Sequence, residues 1–172
     1  QLHAKIEENE EKYEQRIGSR IRIIDRARIY RSDVESITKR FSPSLIIFDQ
    51  IDKLAGFDND RDDLKLGQIY QWARELAKQH CPVIGVCQAG ESGSNKRYLT
   101  MEDMVNSKTS KQGECDWILG IGKLNQEGYE SLRHLHLSKN KLIGDVDTDP
   151  RLRHGKVDVL IHADIARYED IK

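Results

Sequence analysis

Apolar and polar positions in this chain fall into short blocks with changing period. Ser44-Leu45-Ile46-Ile47-Phe48-Asp49-Gln50 carries four apolar residues in a row, ends on an acid and follows Pro43. An unbroken run of that length reads as a strand buried on both faces. Leu66, Ile69, Tyr70, Ala73, Leu76 and Ala77 repeat at i, i+3, i+4 and i+7, which predicts a helix over 64–79. Cys81-Pro82 closes it, and Val83-Ile84-Gly85-Val86-Cys87 is the next apolar run, ending at Gln88. Ile21 to Asp25 reads as an earlier strand, and Ser32 with Glu35 as a capping box opening a short helix with Val34, Ile37 and Phe41 inward. Trp117 to Ile121 is a further strand. Leu132, His134 and His136 alternate with Arg133, Leu135 and Leu137, and 157–161 with 165–168 suggest a closing hairpin. Residues 2–17 show one helical face, ended by Gly18.

Between these blocks lie polar stretches. Residues 52–63 are acidic, and residues 89–99 are small and polar, a flexible loop carrying Lys96 and Arg97. Thr100 to Asp103 caps a short helix, and 107–113 is a small, basic segment with Lys108 and Lys111. Helices alternating with strands imply a mostly parallel sheet covered on both sides, followed by antiparallel strands at the C-terminus. Parallel sheets place their chemistry at strand carboxyl ends, where Asp49 sits.

Composition narrows this picture. The 172 residues suit one domain with one core. A formal net charge of −1 gives no bulk attraction to nucleic acid, so any such site is a local basic patch. Cys81, Cys87 and Cys115 form no CxxC pair and fit a reducing compartment. No apolar run reaches the ~18 residues of a membrane span, and the charged start shows no signal peptide. The absence of an initiator Met suggests a piece of something longer. Residues 58–69 fail the EF-hand pattern, with Asp63 at position six and Ile69 at position twelve. His134 and His136 lack a third metal ligand at a fixed spacing and read as half-buried strand histidines. Asp49 with Asp52 is a weak two-metal signal.

The order and spacing of four segments resemble the ATPase domain of replicative hexameric DNA helicases, the DnaB-like and phage group with the RecA-like fold. Leu45 to Asp49 is similar to its Walker B strand. Residues 81–88 are similar to the strand ending at the sensor position, where many members carry Gln. Residues 101–116 resemble the segment that follows, and Leu135 to Lys141 the strand presenting a Lys-x-Arg pair. Ile165-Ala166-Arg167-Tyr168-Glu169 resembles the closing segment.

The resemblance implies an α/β RecA-like ATPase core spanning 1–172 as one partial domain, with a helical lead-in over 1–18 and the sheet core over 19–172. It implies Asp49 and Gln50 on the nucleotide, with Asp49 holding Mg²⁺. Gln88 would sense the γ-phosphate of ATP, and Lys139 and Lys141 would act on a neighbouring subunit's nucleotide. Lys96, Arg97, Lys108 and Lys111 would contact single-stranded DNA. The implied setting is a ring of identical subunits, a hexamer, in bacterial or phage-infected cytoplasm. Two departures stand out. No G-x-x-x-x-G-K-[ST] occurs in the 172 residues, so the P-loop and its strand are missing. Lys141 stands where the family has Arg, keeping the charge but not the planar fork. The alternatives are a recombinase-like or regulatory ATPase of the same superfamily, and a non-hydrolysing module that assembles with partners or binds DNA.

Overall fold

The computed structural model describes residues 20–104, 108–141 and 154–171. The helix expected over 2–17 and the loop over 145–155 fall wholly or mostly outside them. The described elements run α1 (Arg31–Phe41), β1 (Ile46–Asp49), α2 (Asp62–Gln79), β2 (Val83–Val86), α3 (Lys108–Glu114), β3 (Trp117–Gly122), β4 (Leu132–Asn140), β5 (Lys156–His162) and β6 (Arg167–Asp170). Short 3-10 turns lie at Ile51–Lys53, Glu91–Gly93, Met101–Asp103 and Ala163–Ile165.

β1 and β2 pair in parallel, with Ile46 opposite Val83 and Asp49 opposite Val86. The amphipathic face of α2 lies over one side of this pair. Ile69, Trp72, Ala73 and Leu76 are buried there, with Val34 of α1 and with Ile51, Leu54 and Phe57 after β1. Ile46, Phe48, Val83 and Cys87 pack against that cluster. Trp72 meets Phe48 and Phe57 at ring-centroid distances of 6.0 and 5.6 Å. The Trp72 indole N–H donates to Glu35 at 2.9 Å, so this buried ring keeps a polar partner. β3, β4, β5 and β6 form a second, antiparallel sheet in that spatial order, with β4 and β5 inside it.

Several expectations change. β1 is buried on one face only: Ile47 is 60% exposed while Ile46 and Phe48 are half-buried. An apolar run shows that both faces are apolar, not that both are covered. Residues 21–25 form no strand: no described strand pairs with them and Ile23 is 81% exposed, while Arg22 lies over the Phe41 ring at 3.9 Å. Most described strand pairings are antiparallel, since β3 joins β4 and not the parallel pair. α1 begins before the expected box: Asp33 accepts the Tyr30 backbone N–H at 3.0 Å, and Val34 and Thr38, with Phe41 outside, are its buried residues. Residues 108–114 are helical, although a small, polar composition gave no sign of it.

Candidate functional site

β1 and β2 run in the same direction, so their carboxyl ends lie side by side. Asp49 closes β1 beside Val86, and Gln88 lies two residues past the end of β2. Both side chains are exposed, and no described residue bonds to either. Gln50 is half-buried and turns the chain into the Ile51–Lys53 turn, where its carbonyl accepts the Lys53 N–H at 3.2 Å. Ile51, only 2% exposed, anchors that turn against Gly85 of β2. A Cβ at Gly85 would come within 2.9 Å of the Ile51 Cδ1, so the Ile51 side chain would have to shift to admit one. This packing holds Asp49 at the lip of the parallel pair.

Asp52, three residues on, is held from behind. The Lys111 ammonium donates to its Oδ2 at 2.6 Å and the Tyr70 hydroxyl to its Oδ1 at 3.0 Å. The Lys111 side chain is 0% exposed and lies 5.3 Å from the Tyr70 ring centroid. Burial, with Cys87 and Asp52 nearby, pushes the Tyr70 hydroxyl far above the usual phenol range, so it stays a proton donor. Lys111 was expected at DNA; in the structure it faces inward and ties α3 to the strand end that carries Asp49. The reason is long-range: Asp52 is 59 residues away in sequence, and no local pattern reveals the pair. Lys108 opens α3, and its side chain lies outside the described residues.

The loop with Lys96 and Arg97 crosses the face of the antiparallel sheet. Lys96 donates to Asp103 at 2.7 Å, and the Thr100 N–H donates to the same oxygen. Burial raises the Asp103 carboxyl, but these bonds outweigh it and hold the group at about 2. Arg97 pairs with Asp158 of β5, and the Tyr98 hydroxyl donates to the other Asp158 oxygen at 2.8 Å. His134 is 0% exposed, with Nδ1 2.6 Å from Asp158. His136 Nδ1 lies 2.7 Å from the Leu99 carbonyl. Both histidines are buried, not half-buried, because the loop covers them. Asp158 was missed in the sequence, where it is an acid inside an apolar strand; that misfit was the available signal.

Lys139 lies on β4 of the second sheet and Lys141 just past its end. Their ammonium groups donate to the Gln112 and Gly113 carbonyls at the end of α3, the latter at 3.2 Å. Cations at a helix C-terminus are favourable there. Burial and the neighbouring Lys141 draw the Lys139 ammonium below its usual range. Arg74 of α2 adds bonds to the Glu114 carbonyl at 2.6 Å and to Asp116 at 3.1 Å. No described contact joins Lys139 or Lys141 to Asp49 or Gln88, so the strand-end pair and the lysine pair form separate groups.

An exposed carboxylate beside an exposed amide suits one side of a Mg²⁺-nucleotide. A phosphate cradle of successive backbone N–H groups with a Lys is not found among the described residues. They also hold no cluster of three or more His, Cys, Asp or Glu suited to a metal ion. A cleft lies elsewhere, between α1 and α2, lined by Arg31, Glu35, Lys39 and Trp72.

No protein-family model matches the chain, and no curated protein matches it. Solved structures do. One is described as an "ATPase Domain", with a TM-score of 0.72 and 17% identity over 88% of this chain and 55% of that one. Another is described as "The Structure Of A DnaB-Like Replicative Helicase And Its Interactions With Primase", with a TM-score of 0.71 and 16% identity over 88% and 38%. The chain therefore has the RecA-like α/β fold of these helicase ATPase domains. It spans about half the length of the first and less of the second. No helix among the described residues is long and apolar enough to cross a membrane.

Proposed function

We propose that these 172 residues form the second half of the motor domain of an ATP-dependent replicative DNA helicase. The observation that carries this reading is the parallel β1–β2 pair, which brings Asp49 and Gln88 to one lip within a helicase ATPase fold. Asp49 is the Walker B acid that holds Mg²⁺, with Gln50 beside the nucleotide; the ion would neutralise charge on the transferring phosphoryl group. Gln88, just past the adjacent strand, orients toward that phosphoryl group and links it to the loop that follows. Lys139 and Lys141 serve a neighbouring subunit's nucleotide, which fits their separation from Asp49 and Gln88. Single-stranded DNA is contacted through Lys96, Arg97 and Lys108; Lys111 positions α3. The working assembly is a ring of identical subunits, a hexamer of the phage-like type, acting in the cytoplasm of a bacterium or an infected host.

The phosphate cradle is supplied by polypeptide outside these residues. The isolated chain is therefore expected to show no ATP hydrolysis, and measurable turnover by the pure chain would sink this division of the site. In the complete polypeptide, Asp49→Asn should remove Mg²⁺-dependent hydrolysis while leaving assembly intact; retained turnover would remove Asp49 from the site. In mixed rings, Lys141→Ala subunits should silence the site of their neighbour and not their own.

A further inference from the structure

The loop 94–100 has two side chains that single-stranded nucleic acid uses, a guanidinium for phosphate and an aromatic ring for stacking. One carboxylate holds the polar ends of both, the guanidinium and the phenol hydroxyl. Asp158 Oδ2 accepts from Arg97 and Oδ1 from Tyr98, while His134 bonds to the same group from below. The loop lies unusually close to the sheet. A Cβ at Gly120 would fall 2.7 Å from the Leu99 Cβ, and one at Gly122 would strike the Lys96 and Arg97 carbonyls. Beneath the loop, the buried His134 Nε2 has no partner among the described residues, which is costly. The pair itself is reachable from solvent, with Arg97 50% and Asp158 22% exposed.

We propose that Asp158 is a latch that holds loop 94–100 shut, and that nucleic-acid phosphate opens it by taking Arg97 from this carboxylate. The proposal rests on the reading of this loop as a DNA contact. A phosphate oxygen offers Arg97 the same charge-assisted acceptor that Asp158 does. Once Arg97 leaves, Tyr98 keeps its bond to Asp158 and its edge-to-face contacts with His134 and His136, while its ring loses the Arg97 guanidinium that lies 5.4 Å from its centroid. Lys96 remains on Asp103, so the base of the loop stays anchored while its tip moves.

Two variants of the chain test this. Asp158→Asn keeps the shape but removes the charge; Arg97→Gln breaks the same pair from the loop side and also removes the 3.4 Å bond from Arg97 Nε to His134 Nδ1. Both are expected to speed amide hydrogen exchange over residues 94–100 about tenfold, the effect of losing one charge-assisted bond. With fluorescein-labelled oligothymidylate at low salt, Asp158→Asn is expected to bind about tenfold tighter than the parent, and Arg97→Gln weaker than the parent. Unchanged exchange in both variants overturns the latch, whatever the DNA result. Faster exchange with no gain in oligothymidylate binding by Asp158→Asn overturns the role of phosphate as the key, and with it the DNA reading of the loop. ATP hydrolysis by the complete polypeptide tests the motor reading separately.

Discussion

Replacing Lys111 with Met tests the packing behind Asp49 most directly. The ammonium is fully buried, 2.6 Å from Asp52, and sits beside the Tyr70 ring. Lys111→Met retains the aliphatic stem but leaves the Asp52 carboxylate with the Tyr70 hydroxyl as its one described side-chain partner. Removing one member of a fully buried pair costs about 3–5 kcal/mol, because the remaining charge is stranded. Asp52 keeps 23% exposure, so water recovers part of this and the expected loss is about 2–3 kcal/mol. Urea unfolding followed by Trp72 fluorescence reads it, since that indole, carried by α2, meets Phe48 and Phe57 in the core. Asp52→Asn in the Lys111→Met background should restore at least about 1 kcal/mol relative to additive losses. A loss below about 0.5 kcal/mol, the scale of an ordinary surface change, would show that α3 is not held through this pair. Additive losses in the double variant would refute the coupling even if each single variant were unstable.

Acid should loosen the loop 94–100. Asp103 and Asp158 both titrate at about 2 in the folded chain, below their ordinary value near 3.8. Their contribution is therefore complete above pH 5 and is lost as pH falls through 4 toward 2, roughly 2 kcal/mol each; a stability–pH curve from urea midpoints that stays flat between about pH 5 and 2.5 would contradict this. Gly122→Ala should displace the loop from β3, because the new methyl meets backbone carbonyls that cannot swing aside; wild-type amide protection over 94–100 in this variant would refute the close approach. The open side of the parallel pair, with Ile47 60%, Ile84 44% and Val86 44% exposed, should make the chain self-associate. Sedimentation velocity over a wide concentration range checks this, with Ile84→Lys expected to shift the distribution to monomer; a parent that is strictly monomeric at high concentration would contradict it.

What was legible in the sequence follows the range of the interactions. α2 was readable because its apolar stripe is a local period, and its buried residues Leu66, Ile69, Tyr70, Ala73 and Leu76 fall where that period places them. Trp72 lies off the expected stripe and is buried because Phe48 and Phe57 close over it from other elements. The hairpin β5–β6 was readable from two short apolar runs around a turn. Strand partners were not readable: Val83–Val86 and Trp117–Gly122 look alike as apolar runs, yet one pairs in parallel and the other antiparallel. The 107–113 segment was opaque for a related reason. α3 is held by Lys111 reaching Asp52 and by Lys139 capping its end, and neither partner lies within the segment.

The basic residues show the same limit from the side of function. Read along the chain, Lys96-Arg97, Lys108, Lys111, Lys139 and Lys141 look like charge offered to an anionic partner. Folded, Lys96 meets Asp103, Arg97 meets Asp158, Lys111 meets Asp52, and Lys139 and Lys141 meet the carbonyl end of α3. A chain with 28 basic and 29 acidic residues has an acid available for nearly every cation, and distance in sequence does not prevent the match. The cations differ in how easily an outside anion can compete for them. Lys111, fully buried, is beyond reach, whereas Arg97 is half exposed on its loop. Exposure of the pair, not the presence of the basic residue, is therefore what separates a structural cation from one that can change partners. By that criterion Arg97 and Lys141 can change partners and Lys111 cannot.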